Sequence, residues 1–139
     1  MTSPKLPATS IGDYTYGSMF NKVPKLVVAP ALPATNLGNS CYKAMFEECT
    51  GLLTLPELPA ITLPTSCYER MFKSDTAIAL STSREVSEYQ YLYTIPATGS
   101  ITEVGTSALY SMFSGTGGTF TGEPSVNTKY TTKNKIITV

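Results

Sequence analysis

The chain has 139 residues, of which only 14% are charged, and its ten acidic and ten basic side chains cancel. Ordinary globular proteins carry roughly 25% charged residues, so a strong overall field that attracts nucleic acid or an anionic membrane is excluded. Histidine is absent, which removes the commonest general base and metal ligand.

The main feature of the sequence is a repeat with a period of 26 residues. The pattern Cys-Tyr-x-x-Met-Phe occupies residues 41–46 and 67–72, and Leu-Pro-Ala occupies 32–34 and 58–60. A fixed period in this range predicts a stack of similar supersecondary units. Four Met-Phe pairs mark four copies: Met19-Phe20, Met45-Phe46, Met71-Phe72 and Met112-Phe113.

The copies divide the chain into one repeat domain with two additions. The sequence predicts repeats at about 6–31, 32–57, 58–81 and 95–120, an insertion at 82–94 and a C-terminal tail at 121–139. The last Met-Phe pair comes 41 residues after the third, so the fourth copy carries the extra residues. A chain of this length is long enough for a single domain with its own core.

Each unit predicts two kinds of local structure. The pattern Ser-Cys-Tyr-x-x-Met-Phe predicts a short helical turn, with Ser40 and Ser66 as N-caps and Cys, Met and Phe on one apolar face. The apolar run at 52–55 predicts a short strand that ends at Pro56. We therefore predict an α+β repeat solenoid with short parallel strands and short helical turns.

Apolar residues recur in columns that predict the core. An aliphatic residue lies nine positions before each repeated Phe, and another lies six positions after each of the first three. These residues are Ile11, Leu37, Leu63 and Val104, followed by Leu26, Leu52 and Ile78.

Three cysteines without a CxxC spacing favour neither a disulfide framework nor a zinc site. Cys41 and Cys67 share one repeat position, so we expect them to stack as buried thiols.

The consensus MFxxCTxLxxxPxLPAxxLxxxCYxxMF resembles the BspA-like leucine-rich repeats of bacterial surface proteins, which occur in Bacteroidetes and some of their phages. The resemblance covers residues 6–80 well and 95–120 loosely. It departs at Thr15, Val23, Asp75 and Ala108-Leu109, where the best copies carry Cys or Cys-Tyr. The resemblance implies a leucine-rich-repeat-like stack that serves surface recognition or adhesion.

The insertion contains an alternating run of tyrosines. Tyr89, Tyr91 and Tyr93 would point to one face of a strand. Insertions in repeat stacks lie on one surface and often bind partners, and tyrosine is enriched at interfaces. The run therefore predicts either a contact surface for a partner or a cover for the core where the repeat is interrupted.

The C-terminal tail ends in a β-rich run. Ile136, Ile137 and Val139 predict a strand that either caps the open end of the stack or pairs with a neighbouring chain as an assembly strand. The lysines at 129, 133 and 135 lack an aromatic platform, so no nucleic-acid partner is predicted. The glycine-rich segment at 114–122 lacks the lysine of a phosphate-binding loop and predicts a plain loop.

These features predict a protein that is not an enzyme and holds neither a cofactor nor a metal. Without histidine, no Ser-His-Asp or Cys-His pair is available. We expect a non-catalytic surface recognition or adhesion module that binds protein or glycan through a face of the stack or through the tyrosine insertion. The alternative is a structural subunit of a phage virion, a capsid decoration or fibre protein, assembled as a homo-oligomer or larger body.

The expected location follows from the function. The module would be extracellular or on the cell surface if it belongs to an exported array, and in the virion if it is a phage subunit. No apolar run approaches the roughly 18 residues of a membrane span, so membrane insertion is not predicted.

Overall fold

The fold is that of a computed structural model, which describes residues 4–82 and 88–138. The chain winds into four successive turns, which we call rungs and number in the order of the four repeats. Equivalent repeat positions of successive rungs lie beside one another. Parallel pairing joins Ser10 to Asn36 and Thr62 to Glu103. The shift is 26 residues in the first pair and 41 in the second, because the fourth rung carries the insertion.

The described part of the chain contains six short strands. They are β1 at Thr62–Leu63, β2 at Ala79–Ser81, β3 at Tyr91–Tyr93, β4 at Glu103–Val104, β5 at Gly117–Gly118 and β6 at Tyr130–Thr132. Strands β1 and β4 form a parallel two-stranded sheet, and the other four form a sheet in the order β3-β6-β2-β5. Strand β6 from the tail is antiparallel to both β2 and β3, whereas β2 and β5 are parallel.

The predicted α+β solenoid with helical turns is wrong, because the described residues contain no helix. The Cys-Tyr-x-x-Met-Phe segments form chains of consecutive tight turns, which we call the turn segments (residues 14–22, 40–48, 66–74 and 107–115). Ser40 and Ser66 were expected as N-caps, but their φ angles are 55° and 56°. An N-cap normally has an extended backbone, so neither serine caps a helix.

The hydrogen bonds of the turn segments explain the absence of helix. In the second rung the N–H groups of Lys43, Met45 and Glu47 donate to the carbonyl three residues earlier, whereas those of the residues between them donate to the next rung. Phe46, for example, donates to the Met71 carbonyl at 2.9 Å. Every bond between turn segments has the same direction, from N–H in one rung to C=O in the following rung. These bonds replace the i→i−4 bonds that a helix requires.

Two stacks of rings fill the interior. Phe20, Phe46, Phe72 and Phe113 stack with centroids 5.3–5.7 Å apart. Tyr16, Tyr42 and Tyr68 form a second stack at 5.9 Å. The predicted apolar columns lie mostly inside: Leu26, Leu52, Ile78, Ile11 and Leu63 are buried, and Leu37 is half-buried. Val104, the equivalent residue of the fourth rung, is 49% exposed.

The C-terminal tail covers the last rung. The Phe113 N–H donates to the Gly122 carbonyl at 2.9 Å, so Gly122 takes the place of a fifth rung at this point. The side chain of Asn127 bonds both the N–H and the carbonyl of Ile101 at 2.8 and 3.0 Å. Phe120 and Tyr130 pack ring against ring at 4.8 Å. The tail therefore closes this end of the core.

Candidate recognition surface

The short-strand edge of the stack carries a regular surface, which we call the polar face. It consists of three repeat positions in each of the four rungs. Its members are Thr9, Ser10, Asp13, Thr35, Asn36, Asn39, Ile61, Thr62, Thr65, Thr102, Glu103 and Thr106. All twelve are exposed, and eleven carry a hydroxyl, amide or carboxyl group. The exception is Ile61.

Backbone bonds between rungs hold the polar face in register. The Thr35 N–H donates to the Thr9 carbonyl at 3.0 Å, and Thr62 pairs with Glu103, so these contacts join the first rung to the second and the third to the fourth. The Ser40 N–H, next to Asn39, donates to the Thr65 carbonyl at 2.9 Å and joins the second rung to the third. Paired strands lie about 4.8 Å apart, so equivalent side chains of the paired rungs lie at about that spacing. The Asp13 carboxylate accepts a bond from the Asn39 N–H at 2.8 Å. The polar face is therefore an ordered array on a fixed backbone.

Charged side chains gather on the turn segments instead. Lys43 pairs with Glu69 at 3.2 Å, and Lys22 pairs with Glu48 at 3.8 Å. The twelve positions of the polar face include no lysine or arginine, and their only formal charges are Asp13 and Glu103. These two carboxylates lie in the first and fourth rungs, so the middle of the polar face is uncharged.

A groove lies in the uncharged middle. Thr35, Asn36 and Leu37 of the second rung line one side, and Ile61, Thr62 and Pro64 of the third rung line the other. Its volume is about 470 Å³, within the range of about 300–1,000 Å³ that is typical of small-molecule sites. Ile61 is 53% exposed and provides an apolar patch among hydroxyl and amide groups.

The structure does not bring the three predicted tyrosines together on an exposed surface. Tyr89 and Tyr93 are buried, and the Tyr93 hydroxyl donates to the Pro56 carbonyl at 2.9 Å. The Lys133 ammonium lies 5.3 Å from the centre of the Tyr89 ring. Tyr91 is 40% exposed. A contact surface in this region therefore depends on Tyr91 and its neighbour Leu92, which is 45% exposed.

The predicted assembly strand pairs within its own chain. The Ile137 N–H donates to the Leu55 carbonyl at 2.9 Å, and the Ile137 carbonyl accepts from the Glu57 N–H at 2.8 Å. Ile136 is half-buried beside this pairing. Val139 lies outside the described residues. Ile137 thus forms an isolated parallel bridge with Pro56 of the second rung.

The edge of the first rung presents unpaired acceptors. Among the residues that the structure describes, no rung precedes the first one, so five backbone carbonyls at this edge accept no hydrogen bond from another rung. They are those of Asp13, Thr15, Gly17, Met19 and Asn21. In later rungs the carbonyls at the same repeat positions accept N–H bonds from the preceding rung. Tyr14 and Met19 at this edge are 70% and 44% exposed.

The buried titratable groups lie away from the polar face. Burial raises the pKa of the Cys41 thiol to about 12 and that of Cys49 to about 11, and it also raises the pKa of Cys67. Such thiols are poor nucleophiles, because the reactive form is the thiolate. Within the described ranges, no three His, Cys, Asp or Glu side chains are placed to hold a metal ion.

Asp75 is the only one of the buried polar residues in the described part that has a carboxyl group. Burial is the main cause that raises its pKa to about 9; a hydrogen bond from the Cys49 N–H at 2.7 Å acts in the opposite direction, and the charge of Glu47 makes a smaller upward contribution. The carboxyl is therefore protonated at neutral pH.

The described part of the chain also contains no helix that could cross a membrane.

Comparison with models of protein families, with curated protein sequences and with solved structures finds no match for the chain.

The sequence analysis did not predict the polar face, although the sequence contains a signal for it. Aligned at the 26-residue period, three repeat positions carry short polar residues in nearly every copy. The apolar residues that define the repeat indicate the interior of the stack and say nothing about these polar positions.

Proposed function

We propose that the protein is a non-catalytic recognition module that binds glycan or protein through the polar face. The observation that supports the proposal is the array of twelve exposed positions, eleven of them with hydrogen-bonding side chains, held in register by the rungs. Short side chains such as Ser, Thr and Asn lose little conformational entropy when a ligand fixes them. The resemblance to BspA-like repeats favours a location on the cell surface.

The test compares a polar-face variant with a matched control. Thr35→Ala/Asn36→Ala/Thr62→Ala removes three hydrogen-bonding groups around the groove. Thr50→Ala/Thr76→Ala/Thr121→Ala removes three exposed hydroxyls that follow the turn segments rather than precede them, away from the polar face. Binding to glycan and protein microarrays should fall for the first variant and persist for the second. Equal binding by both variants and the parent would contradict the proposal.

A second candidate function is a structural subunit of a virion. The unpaired carbonyls and exposed Met19 and Tyr14 of the first rung favour it, because an unsatisfied backbone edge is a template for pairing with another chain. Sedimentation over a range of concentrations tests it. A mass that rises with concentration supports an assembly subunit, and a constant monomer mass contradicts self-assembly.

A further inference from the structure

We infer that the ligand of the polar face is an extended, uncharged glycan centred on the groove between the second and third rungs. This inference rests on the proposed recognition function and names its ligand class. It is carried by three observations on the polar face: its charge, its hydrogen-bonding groups and the position of its one apolar side chain.

The charge distribution favours an uncharged ligand. The six middle positions, in the second and third rungs, carry no formal charge. The two carboxylates at the outer rungs would repel an anionic polymer, and no lysine or arginine of the polar face offsets them. One oxygen of Asp13 is already occupied by the Asn39 N–H. A cationic polymer would therefore meet only two isolated carboxylates, Asp13 and Glu103, at opposite ends of the face, with no formal charge on the six positions between them.

The hydrogen-bonding groups match sugar hydroxyls. A Thr or Ser hydroxyl both donates and accepts, and an Asn amide offers two donors and an acceptor. Sugar hydroxyls have the same dual character, so a glycan can satisfy such an array in several orientations. Protein interfaces are instead dominated by Trp, Tyr and Arg anchors, and none of these occurs among the twelve positions.

The apolar patch has the position that a sugar ring needs. Ile61 is exposed inside the groove, with half-buried Leu37 and Pro64 beside it and Thr35, Asn36 and Thr62 around it. The C–H face of a pyranose can pack on Ile61 while its hydroxyl groups bond the surrounding polar side chains. Exposed polar side chains continue on both sides of the groove, in the first and fourth rungs, so an extended chain is favoured over a single sugar.

Affinity electrophoresis of the full chain in gels with and without a dissolved polysaccharide tests the inference. The probes are neutral laminarin, mannan, xylan and amylose, with anionic alginate and cationic chitosan for comparison. We expect retardation by at least one neutral polysaccharide and insensitivity to added salt. Ile61→Asp should weaken the affinity for that polysaccharide about tenfold or more, the equivalent of losing one good contact. Tyr91→Ser should leave this affinity unchanged.

Circular dichroism would confirm that both variants fold, which is expected because Ile61 and Tyr91 are exposed. Salt-sensitive binding of alginate or chitosan alone would overturn the inference. It would also be overturned if Ile61→Asp bound a neutral polysaccharide as tightly as the parent does. If a protein binds with dependence on Thr35, Asn36 and Thr62 while no neutral polysaccharide binds, the recognition function stands and the glycan inference falls. If nothing binds, both fall.

Discussion

The buried carboxyl of Asp75 should make the stability of the protein depend on pH. Its side chain is fully buried, one oxygen accepts the Cys49 N–H at 2.7 Å, and the other has no partner in the described part of the chain. Burial, with a smaller contribution from Glu47, raises the pKa from 3.8 to about 9. The folded state therefore favours the neutral carboxyl, whereas the unfolded state ionises near pH 3.8.

The direction of the effect follows from proton linkage. The stabilisation that the neutral carboxyl provides is fully present below pH 3.8 and is lost progressively as pH rises towards about 9. Each pH unit within this window changes the folding equilibrium by about tenfold. Between about pH 5 and about pH 8, the free energy of unfolding should thus fall by an amount of the order of 4 kcal/mol.

Asp75→Asn isolates this contribution. The Asn side chain retains an oxygen for the Cys49 N–H but does not ionise. Urea unfolding at several pH values should show a steep decline for the parent and a clearly flatter profile for Asp75→Asn. Glu48→Gln is the control, because this side chain is 48% exposed and should keep the parental slope. Identical slopes for the parent and Asp75→Asn would refute the reasoning.

Three further predictions concern the interior and the cap. Phe46→Ala should lower the free energy of unfolding in urea by about 3–5 kcal/mol, because the ring is buried between Phe20 and Phe72. A decrease below about 1 kcal/mol would contradict the stacked-ring core. Asn127→Ala should lower the free energy of unfolding by about 1–3 kcal/mol and speed amide hydrogen exchange around Ile101; unchanged exchange would argue against the role of Asn127 in the cap. Tyr93→Phe should lower the free energy of unfolding by about 1 kcal/mol, because it removes the hydrogen bond to Pro56, whereas Tyr91→Phe should leave it unchanged. Equal decreases for the two variants would contradict this difference.

The 26-residue period was enough to predict the order of the rungs and the rings inside. Equivalent Phe residues stack as the spacing indicated, and the Leu26, Leu52 and Ile78 column is buried. The helical turns were wrong for a physical reason. Apolar residues at i, i+4 and i+5 fit one face of a helix and equally fit a chain of tight turns. The deciding hydrogen bonds join residues that are 25 or 40 positions apart, and no local pattern reveals them.

The candidate surfaces were harder to predict because burial depends on distant segments. Tyr89, Tyr91 and Tyr93 alternate in sequence, but β6 of the tail pairs with β3 and Lys133 lies over Tyr89. Ile137 pairs with the second rung rather than remaining free. The polar face has no unusual residue at any single position. It becomes visible only when four rungs are placed side by side.

The uniform direction of the bonds between turn segments restricts how the length of this chain can change during evolution. The carbonyls of each internal rung accept from the preceding rung, and its N–H groups donate to equivalent positions of the following rung. A gene duplication or deletion of one whole 26-residue unit therefore leaves every donor with an acceptor, whereas a change of a few residues within a turn segment shifts the rest of that segment out of register with the rungs on either side of it. Additional residues are tolerated outside the turn segments, and the fourth copy carries its extra residues before its turn segment begins.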